Sequence, residues 1–346
     1  MSLRKRPTRP RRAALASAAL LALGSGALAA APAPLPAPAG GLNILVAGVD
    51  SRQGVTPQEK AKHRLGGKGC DCTDVLMLVH VSAANDRVSV VSLPRDSLTS
   101  FRAGHHDQRT GAEHGAHQAK INAAHTEGGP AFTVETVERM TGTPVHRYLE
   151  IDFRRFMDGV DRLKDGVPVC TKAPLKDPVT GLDLAPGTTR VGGGEALQYV
   201  RSRRADGKMD FGRMQKQQQF FVNTLRKVRT DLLGDPGALR AFASTLRGTA
   251  TVERGLSVTD MLTLATRLRH LPPSRTEFAT VPVSGFKTVD GVGSTVAWNE
   301  RQAAEIFERL RTDRPLPAPA TTPTSTIPQG LGEYRPAGGS SLLCAP

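Results

Sequence analysis

Between Gln198 and Phe221 the chain reads QYVRSRRADGKMDFGRMQKQQQFF, with arginines at 201, 203, 204 and 213 and an aspartate at 210. The guanidinium is a planar fork of donors that meets phosphate oxygens two at a time, so an ordered set of arginines points to a bound oxyanion. A solvated basic face is the plainer account of such a cluster. Arg201 and Arg203 follow a short helix in an extended stretch, where i and i+2 point the same way. Asp210, Arg213 and Gln217 fall at i, i+3 and i+7 and share one face of the next helix. This spacing aims Arg213 and Gln217, together with Arg201 and Arg203, into one pocket. Gln215, Gln218 and Gln219 are left to face solvent or cap neighbouring backbone. Lys120, in KINAAH, adds a cation ahead of a helix start, where backbone N–H groups also favour anions.

Three more polar groups sit at strand ends. Asp50 follows the apolar run LNILVAGV (42–49), Asp74 precedes VLMLVHVS (75–82), and Arg95 follows VSVVSL (88–93) in SLPRDS. The turn AANDR makes the last two runs an antiparallel hairpin. Asp74 lies eleven residues before Asn85 and Arg95 ten after it, so both fall at one end of the sheet. Two carboxylates beside Arg95 suit Mg²⁺ holding a diphosphate. Asp50 and Asp74 are equally readable as turn residues that merely end strands.

The elements around these groups predict a mixed α/β domain, in which a mostly antiparallel or mixed sheet is flanked by helices. Helical spacing runs over 129–142, 152–163, GGGEALQYVR and 210–228, the last with Asp210 as N-cap. PGALRAFAST, SVTDMLTLATRLRHL and NERQAAEIFERLR are further helices around the strand TEFATVPVS. The folded unit spans 42–313. It is preceded by a Pro/Ala linker (31–41) and followed by a Pro/Thr/Gly-rich stretch (314–346) that reads as a flexible tail whose end Cys344 could pin. The histidine-rich RAGHHDQRTGAEHGAH (102–117) reads as a mobile surface loop in preference to a metal site.

Charge and cysteine usage set the compartment. The formal charge is +14, and the first twelve residues hold six of the positives and no acid. An uncharged Ala/Leu run (13–30) follows, so residues 1–30 form an export signal, with Ala27-Leu28-Ala29 suiting a peptidase, or a single membrane anchor. Cys70, Cys72, Cys170 and Cys344 are an even set in an exported chain, which favours disulfides. Three pairings are open. CDC lacks the second Cys/His pair of a zinc site.

NILVAGVDSR, CTDVLMLVHV, VSLPRDS, KINAAHTEGGP, GLDLAPGTTRVGGGEALQYVRSR and DFGRMQKQQQFF resemble, in this order and spacing, the LytR-CpsA-Psr family over about 43–228. The resemblance implies an extracytoplasmic, Mg²⁺-assisted phosphotransferase on an α/β fold, acting at the membrane surface. Its donor is an undecaprenyl-pyrophosphate-linked glycopolymer and its acceptor is peptidoglycan. Asp50 and Asp74 match the family's magnesium-binding aspartates. Arg95, Arg201, Arg203 and Arg213 match its pyrophosphate-holding arginines, and Gln217 and Lys120 match polar residues of the same site. Asp210 and Asp96 take supporting positions. Cys72 departs from the pattern, standing where many members carry an arginine; Arg52, Arg64 or Lys68 could supply that contact.

The resemblance further implies attack by a sugar hydroxyl, such as the 6-hydroxyl of N-acetylmuramic acid, on the phosphorus nearer the glycan. Phe132, Val137, Phe156, Phe220, Phe221 and Leu225 read first as core and second as the wall of a slot for the prenyl tail. A lipid-pyrophosphate hydrolase would use the same residues with water as acceptor. A nucleic-acid-binding regulator fits the basic charge, but the export segment, the cysteines and a chain with one Trp and three Tyr speak against nucleic acid. A purely glycan-binding module needs neither converging arginines nor a carboxylate pair.

Overall fold

The computed structural model describes residues 35, 38–67, 69–108, 110–247, 254–317 and 337–345. Residues 1–30, most of the linker and Lys68 lie outside them. No helix among the described residues is long and apolar enough to cross a membrane.

β1 (Leu42–Val49) and, after α1 (Pro57–Lys62), β2 (Thr73–Val81) pair antiparallel, and β3 (Val88–Ser92) returns antiparallel to β2. Four short strands follow: β4 (Leu98–Phe101), β5 (His105–His106), β6 (Glu113–His114) and β7 (His117–Lys120). β4 pairs with β7 and β5 with β6. They lead into α2 (Ala123–Thr141), β8 (Arg147–Ile151), parallel to β1, and α3 (Phe153–Asp161). β9 (Val167–Thr171), β10 (Leu175–Asp177), β11 (Leu182–Leu184) and β12 (Gly187–Val191) make two small ladders, β9 with β12 and β10 with β11. Next come α4 (Gly193–Arg201), α5 (Met209–Asp231), α6 (Pro236–Leu246) and α7 (Val258–Arg267). β13 (Thr276–Thr280) runs parallel to β3, and β14 (Val283–Val289) and β15 (Gly293–Trp298) form a hairpin. The chain ends through α8 (Glu300–Arg311), β16 (Ala337–Gly338) and α9 (Gly339–Leu342). The central sheet is mixed, with order β16-β13-β3-β2-β1-β8.

The strands read as continuous apolar runs because both faces of the sheet are covered. Leu45, Ala47, Leu76, Leu78 and Val91 pack against Val134 and Val137 of α2 and Ile306, Phe307 and Leu310 of α8. The alternate residues Ile44, Met77, Val79 and Val90 pack against Val222 of α5 and Met261 and Leu264 of α7. Period-2 alternation therefore serves two cores, and each fully buried Leu or Val contributes about 1.5–3 kcal/mol.

Four expectations need correction. α2 starts at Ala123 instead of 129: Gly129, at φ +70°, kinks it, and Pro130 opens the second segment with a φ already suited to a helix. α5 starts at Met209 with Lys208 as N-cap, so Asp210 lies in the first turn and its carboxylate is turned to arginines. The end of the tail belongs to the fold: β16 pairs with β13, and Cys344 is bonded to Cys170. Likewise Leu35 of the linker is buried in the second core. Composition marks the tail as flexible, and Cys344 is the one sign within it of the cross-link that pins its end and removes chain entropy. Cys70 pairs with Cys72.

Candidate functional site

The hairpin β2–β3 brings Asp74 and Arg95 to one end of the sheet, where Arg95 Nη1 donates to Asp74 Oδ1. Two backbone bonds then tie the segment after β3 to the start of α2: Asn122 N–H donates to Arg95 O at 3.2 Å, and Ile121 N–H to Ser97 O at 2.9 Å. Lys120 is thereby set beside Asp96, with Nζ–Oδ1 at 3.2 Å. From the other side, α4 ends at Arg201 and the extended Ser202 turns Arg203 back toward the sheet. Arg203 Nε lies 3.2 Å from Asp210 Oδ1, and Arg213 Nη2 lies 3.0 Å from Asp210 Oδ2. Arg213 Nη2 also donates to the carbonyl of Asp74 at 3.1 Å, and Nη1 stands 3.8 Å from Asp74 Oδ1. Thus Asp74, Arg95, Asp96, Lys120, Arg203, Asp210 and Arg213 form one cluster, with Asp210 orienting two of its arginines.

Arg201 is not in the extended stretch but at the last turn of α4, stacked over Phe153 at 5.2 Å from the ring centroid. Asp50, at the end of β1, is gripped by Arg52, whose Nε and Nη2 donate to Oδ1 and Oδ2 at 2.9 and 3.0 Å. Arg52 Nη1 also donates to the carbonyls of Leu65 and Gly67, so this arginine anchors the 65–67 loop to Asp50. Arg64, by contrast, donates to the carbonyl of Pro178. Gln217 is buried on α5 and donates to Val200 O at 3.1 Å.

The electrostatics are those of a site with cations in excess. Burial would raise the Asp74 carboxyl, but Arg213, Arg95 and Arg203 outweigh it and hold Asp74 below the usual carboxylate range. Burial pulls Arg213 down to about 10, and it also lowers Arg201. Arg95 moves the other way, because Asp74, Asp210 and Asp96 outweigh its burial. Among the described residues, Arg95 Nε, Arg201 Nη1 and Arg213 Nε are buried donors with no hydrogen-bond acceptor. Arg87, Arg139 and Arg309 carry such a nitrogen elsewhere, but here two belong to the cluster and the third, on Arg201, lines the same cavity as Arg213. Buried donors are costly when unmet, so the place suits an acceptor-rich anion.

That cluster closes one end of a cavity of about 430 Å³. Asp74, Arg201, Arg213 and Gln217 line its polar end; Phe156, Phe220, Phe221 and Leu225 are among the many apolar residues that line the rest. Phe132 and Val137 are elsewhere, Phe132 against His105 and Val137 in the core under α2. The cavity passes between the sheet and α3, α5, α6 and α7, and its wall is made by side chains that also belong to the cores.

The LytR_cpsA_psr family profile matches residues 29–312. The chain belongs to the LytR-CpsA-Psr family. The Corynebacterium glutamicum protein named "Probable cell wall biosynthesis protein LcpB" is 32% identical over 273 residues, which cover 78% of this chain and 61% of that one. A Bacillus anthracis protein, "Polyisoprenyl-teichoic acid--peptidoglycan teichoic acid transferase TagU", is 28% identical over 223 residues, covering 64% of this chain and 66% of that one. This LytR-CpsA-Psr chain thus spans about three fifths of the length of LcpB. The crystal structure of protein gbs0355 from Streptococcus agalactiae superposes with a TM-score of 0.61 at 21% identity, over 82% of this chain and 91% of that one, which shows a shared fold.

Three contributors escape a reading of the sequence. Asp177, 2% exposed, accepts the backbone N–H of Arg203 at 2.8 Å and of Arg204 at 3.0 Å, fixing the turn that aims Arg203. Gln218 does not face solvent: it is buried and donates to Ser92 Oγ and to the carbonyl of Ala279, pinning α5 across β3 and β13. Gln219 accepts from the Tyr199 hydroxyl at 2.5 Å. Of these, only the three consecutive glutamines 217–219, which interrupt an otherwise amphipathic helix, offer a signal in the sequence.

Proposed function

We propose that this protein is an extracytoplasmic phosphotransferase. It moves a glycopolymer from an undecaprenyl-pyrophosphate carrier to peptidoglycan, at the 6-hydroxyl of an N-acetylmuramic acid unit, and releases undecaprenyl phosphate. The observation that carries this reading is the meeting of unmet arginine donors with the polar end of a long apolar cavity. A ligand that satisfies both needs a diphosphate joined to a hydrocarbon chain. The names of its teichoic acid transferase and cell wall relatives support the same chemistry. The export segment at 1–30 would place the domain in the cell envelope.

Arg201, Arg203 and Arg213 hold the diphosphate and stabilise charge as it grows on the departing prenyl phosphate, where preformed donors in a water-poor site act most strongly. Arg95 and Lys120 extend the cationic wall toward Asp96. The carboxylates of Asp50 and Asp74 offer hard oxygen donors of the kind Mg²⁺ takes alongside phosphate oxygens, and the ion pairs of Asp74 all fall on Oδ1. Bound there, Mg²⁺ would neutralise charge on the phosphates. Because Asp74 is held below the usual range, it suits holding a cation better than taking a proton from the sugar hydroxyl.

Titration of the purified protein with farnesyl pyrophosphate, with and without Mg²⁺, tests this for wild type and Arg201→Ala. The expected result is Mg²⁺-strengthened binding that weakens by more than about tenfold in the variant, about 1.4 kcal/mol. Transfer from a lipid-linked glycan to a muropeptide acceptor would complete the case. Equal, weak and salt-sensitive binding by both proteins would reduce the arginines to a solvated basic face.

A further inference from the structure

The stretch 102–117 is ordered around its histidines. β5 pairs with β6 so that His105 stands opposite His114, and His117 opens β7. Glu127 reaches them from the first segment of α2, just before the kink at Gly129. One ligand atom from each of His105, His114, His117 and Glu127 lies within 4.8 Å of every other. Among the described residues no other group of three or more His, Cys, Asp or Glu converges in this way.

The hydrogen bonds of the rings say what belongs between them. His105 Nδ1 lies 2.7 Å from Arg102 O, and His117 Nδ1 lies 2.9 Å from Gly115 O. A carbonyl only accepts, so both Nδ1 atoms carry the proton and both Nε2 atoms are left with a lone pair. Yet both Nε2 atoms point at one acceptor, Glu127 Oε2, at 3.2 and 3.0 Å. Lone pair would face lone pair twice on the same oxygen unless a positive centre lies among them. Two imidazolium ions would supply it only at the expense of like charges with ring centroids 5.8 Å apart, next to a third histidine stacked 5.2 Å from His105. A single divalent cation removes both conflicts.

We propose that His105, His114, His117 and Glu127 bind one divalent transition-metal ion of the zinc class in a closed, structural site. Three imidazoles and a carboxylate fill a tetrahedron, and for bonds of about 2.0–2.1 Å its edge is about 3.3 Å, close to the two Nε2···Oε2 separations. The carbonyls on Nδ1 are the outer partners that orient ligating histidines. Aromatic rings back the cluster: His105 stacks on Phe132 at 4.2 Å, and Phe101 meets both His117 and Phe132 edge-on, while His114 and His117 stay part-exposed. Asp107 Oδ2 stands 3.9 Å from His114 Nε2 as a neighbouring carboxylate. The ion would fasten β5, β6 and β7 to α2, and it shares no residue with the arginine cluster.

The test uses the full chain without a polyhistidine tag, stripped of metal and titrated with Co²⁺ and then Zn²⁺. The expected result is one equivalent of Co²⁺ with the intense visible absorption of tetrahedral coordination, displaced by stoichiometric Zn²⁺ and unmoved by excess Mg²⁺. Zn²⁺ also raises the melting temperature. His117→Ala and Glu127→Ala, each checked for folding by circular dichroism, lose more than about 100-fold in Zn²⁺ affinity. An octahedral spectrum, no retained ion in wild type, or equal affinity in wild type and variants would overturn the proposal. The wild-type spectrum decides the matter even where a variant fails to fold.

Discussion

The arginine cluster and the histidine cluster each take one residue from β7, Lys120 at one end and His117 at the other, and they are opposites in hydrogen-bond demand. Around Asp74 and Asp210, donors outnumber acceptors, and three buried guanidinium nitrogens have no acceptor. Around Glu127, acceptors meet acceptors, and two imidazole lone pairs converge on a carboxylate oxygen. Unmet donors call for an anion and crowded lone pairs call for a cation. The sign of the missing ligand can therefore be inferred from hydrogen-bond demand before any ligand is seen.

The sharpest way to break this contrast is at Arg213. Arg213→Ala should cut glycopolymer transfer by about 10²–10³-fold, the usual loss on removing one preformed donor to developing charge. Arg213→Lys should not restore it, because an amine can stand in for Nη2, which meets Asp210 and the Asp74 carbonyl, but brings no counterpart of Nη1 beside Asp74 Oδ1 or of the unmet Nε. Transfer kinetics on both variants, with melting curves to confirm folding, would check this. A smaller effect is expected at Asp177, whose carboxylate holds the backbone of Arg203 and Arg204. Asp177→Asn should weaken farnesyl pyrophosphate binding about tenfold, about 1.4 kcal/mol, without changing the Mg²⁺ dependence. An unchanged affinity would show that Arg203 is aimed by Asp210 alone.

The meeting of Asp74, Arg95, Asp210 and Arg213 is legible because these residues lie at strand and helix ends whose periods are plain in the sequence. The end of β2, the end of β3 and the i, i+3 pair on α5 all converge as spacing predicts. Asp177 was not legible, since its role is to accept two backbone N–H groups from a turn 26 and 27 residues on, which no local pattern marks. The histidines read as a mobile loop for a related reason, although β5 pairs with β6 across the stretch. Their spacing is irregular, and the fourth group comes from a helix whose start was hidden behind Gly129 and Pro130. The sheet itself is readable because both of its faces are apolar, whereas β16 pairs with the distant β13 and the Cys170–Cys344 link joins residues 174 apart.

A milder test lies between the two clusters, at His125. Burial would lower this imidazole, but its bond and charge interaction with Glu150 outweigh that and raise it above the ordinary value. Its other nitrogen faces Asp71 O at 2.7 Å, so it holds the Cys70–Cys72 loop beside Asp50. A raised folded value means the stabilisation is fully present below about pH 6.5 and is lost as pH rises through the folded value. Melting curves between about pH 6 and 9 should show the gap between wild type and His125→Gln closing toward alkaline pH. A gap that is constant or that widens would mean the ring is neutral in the folded protein.

The smallest expected effect is the most instructive about the ribbon. His117 and Lys120 bound the same four-residue strand, one end at the histidine cluster and the other at Asp96. If the two sites are independent, loading the metal-free protein with one equivalent of Zn²⁺ at constant Mg²⁺ should change farnesyl pyrophosphate affinity by less than about threefold, as for well-separated, uncoupled sites. Calorimetry on the two forms would measure it. A larger change would mean that the strand transmits order from the cation site to Lys120, and that the two opposite demands are met by one coupled structure.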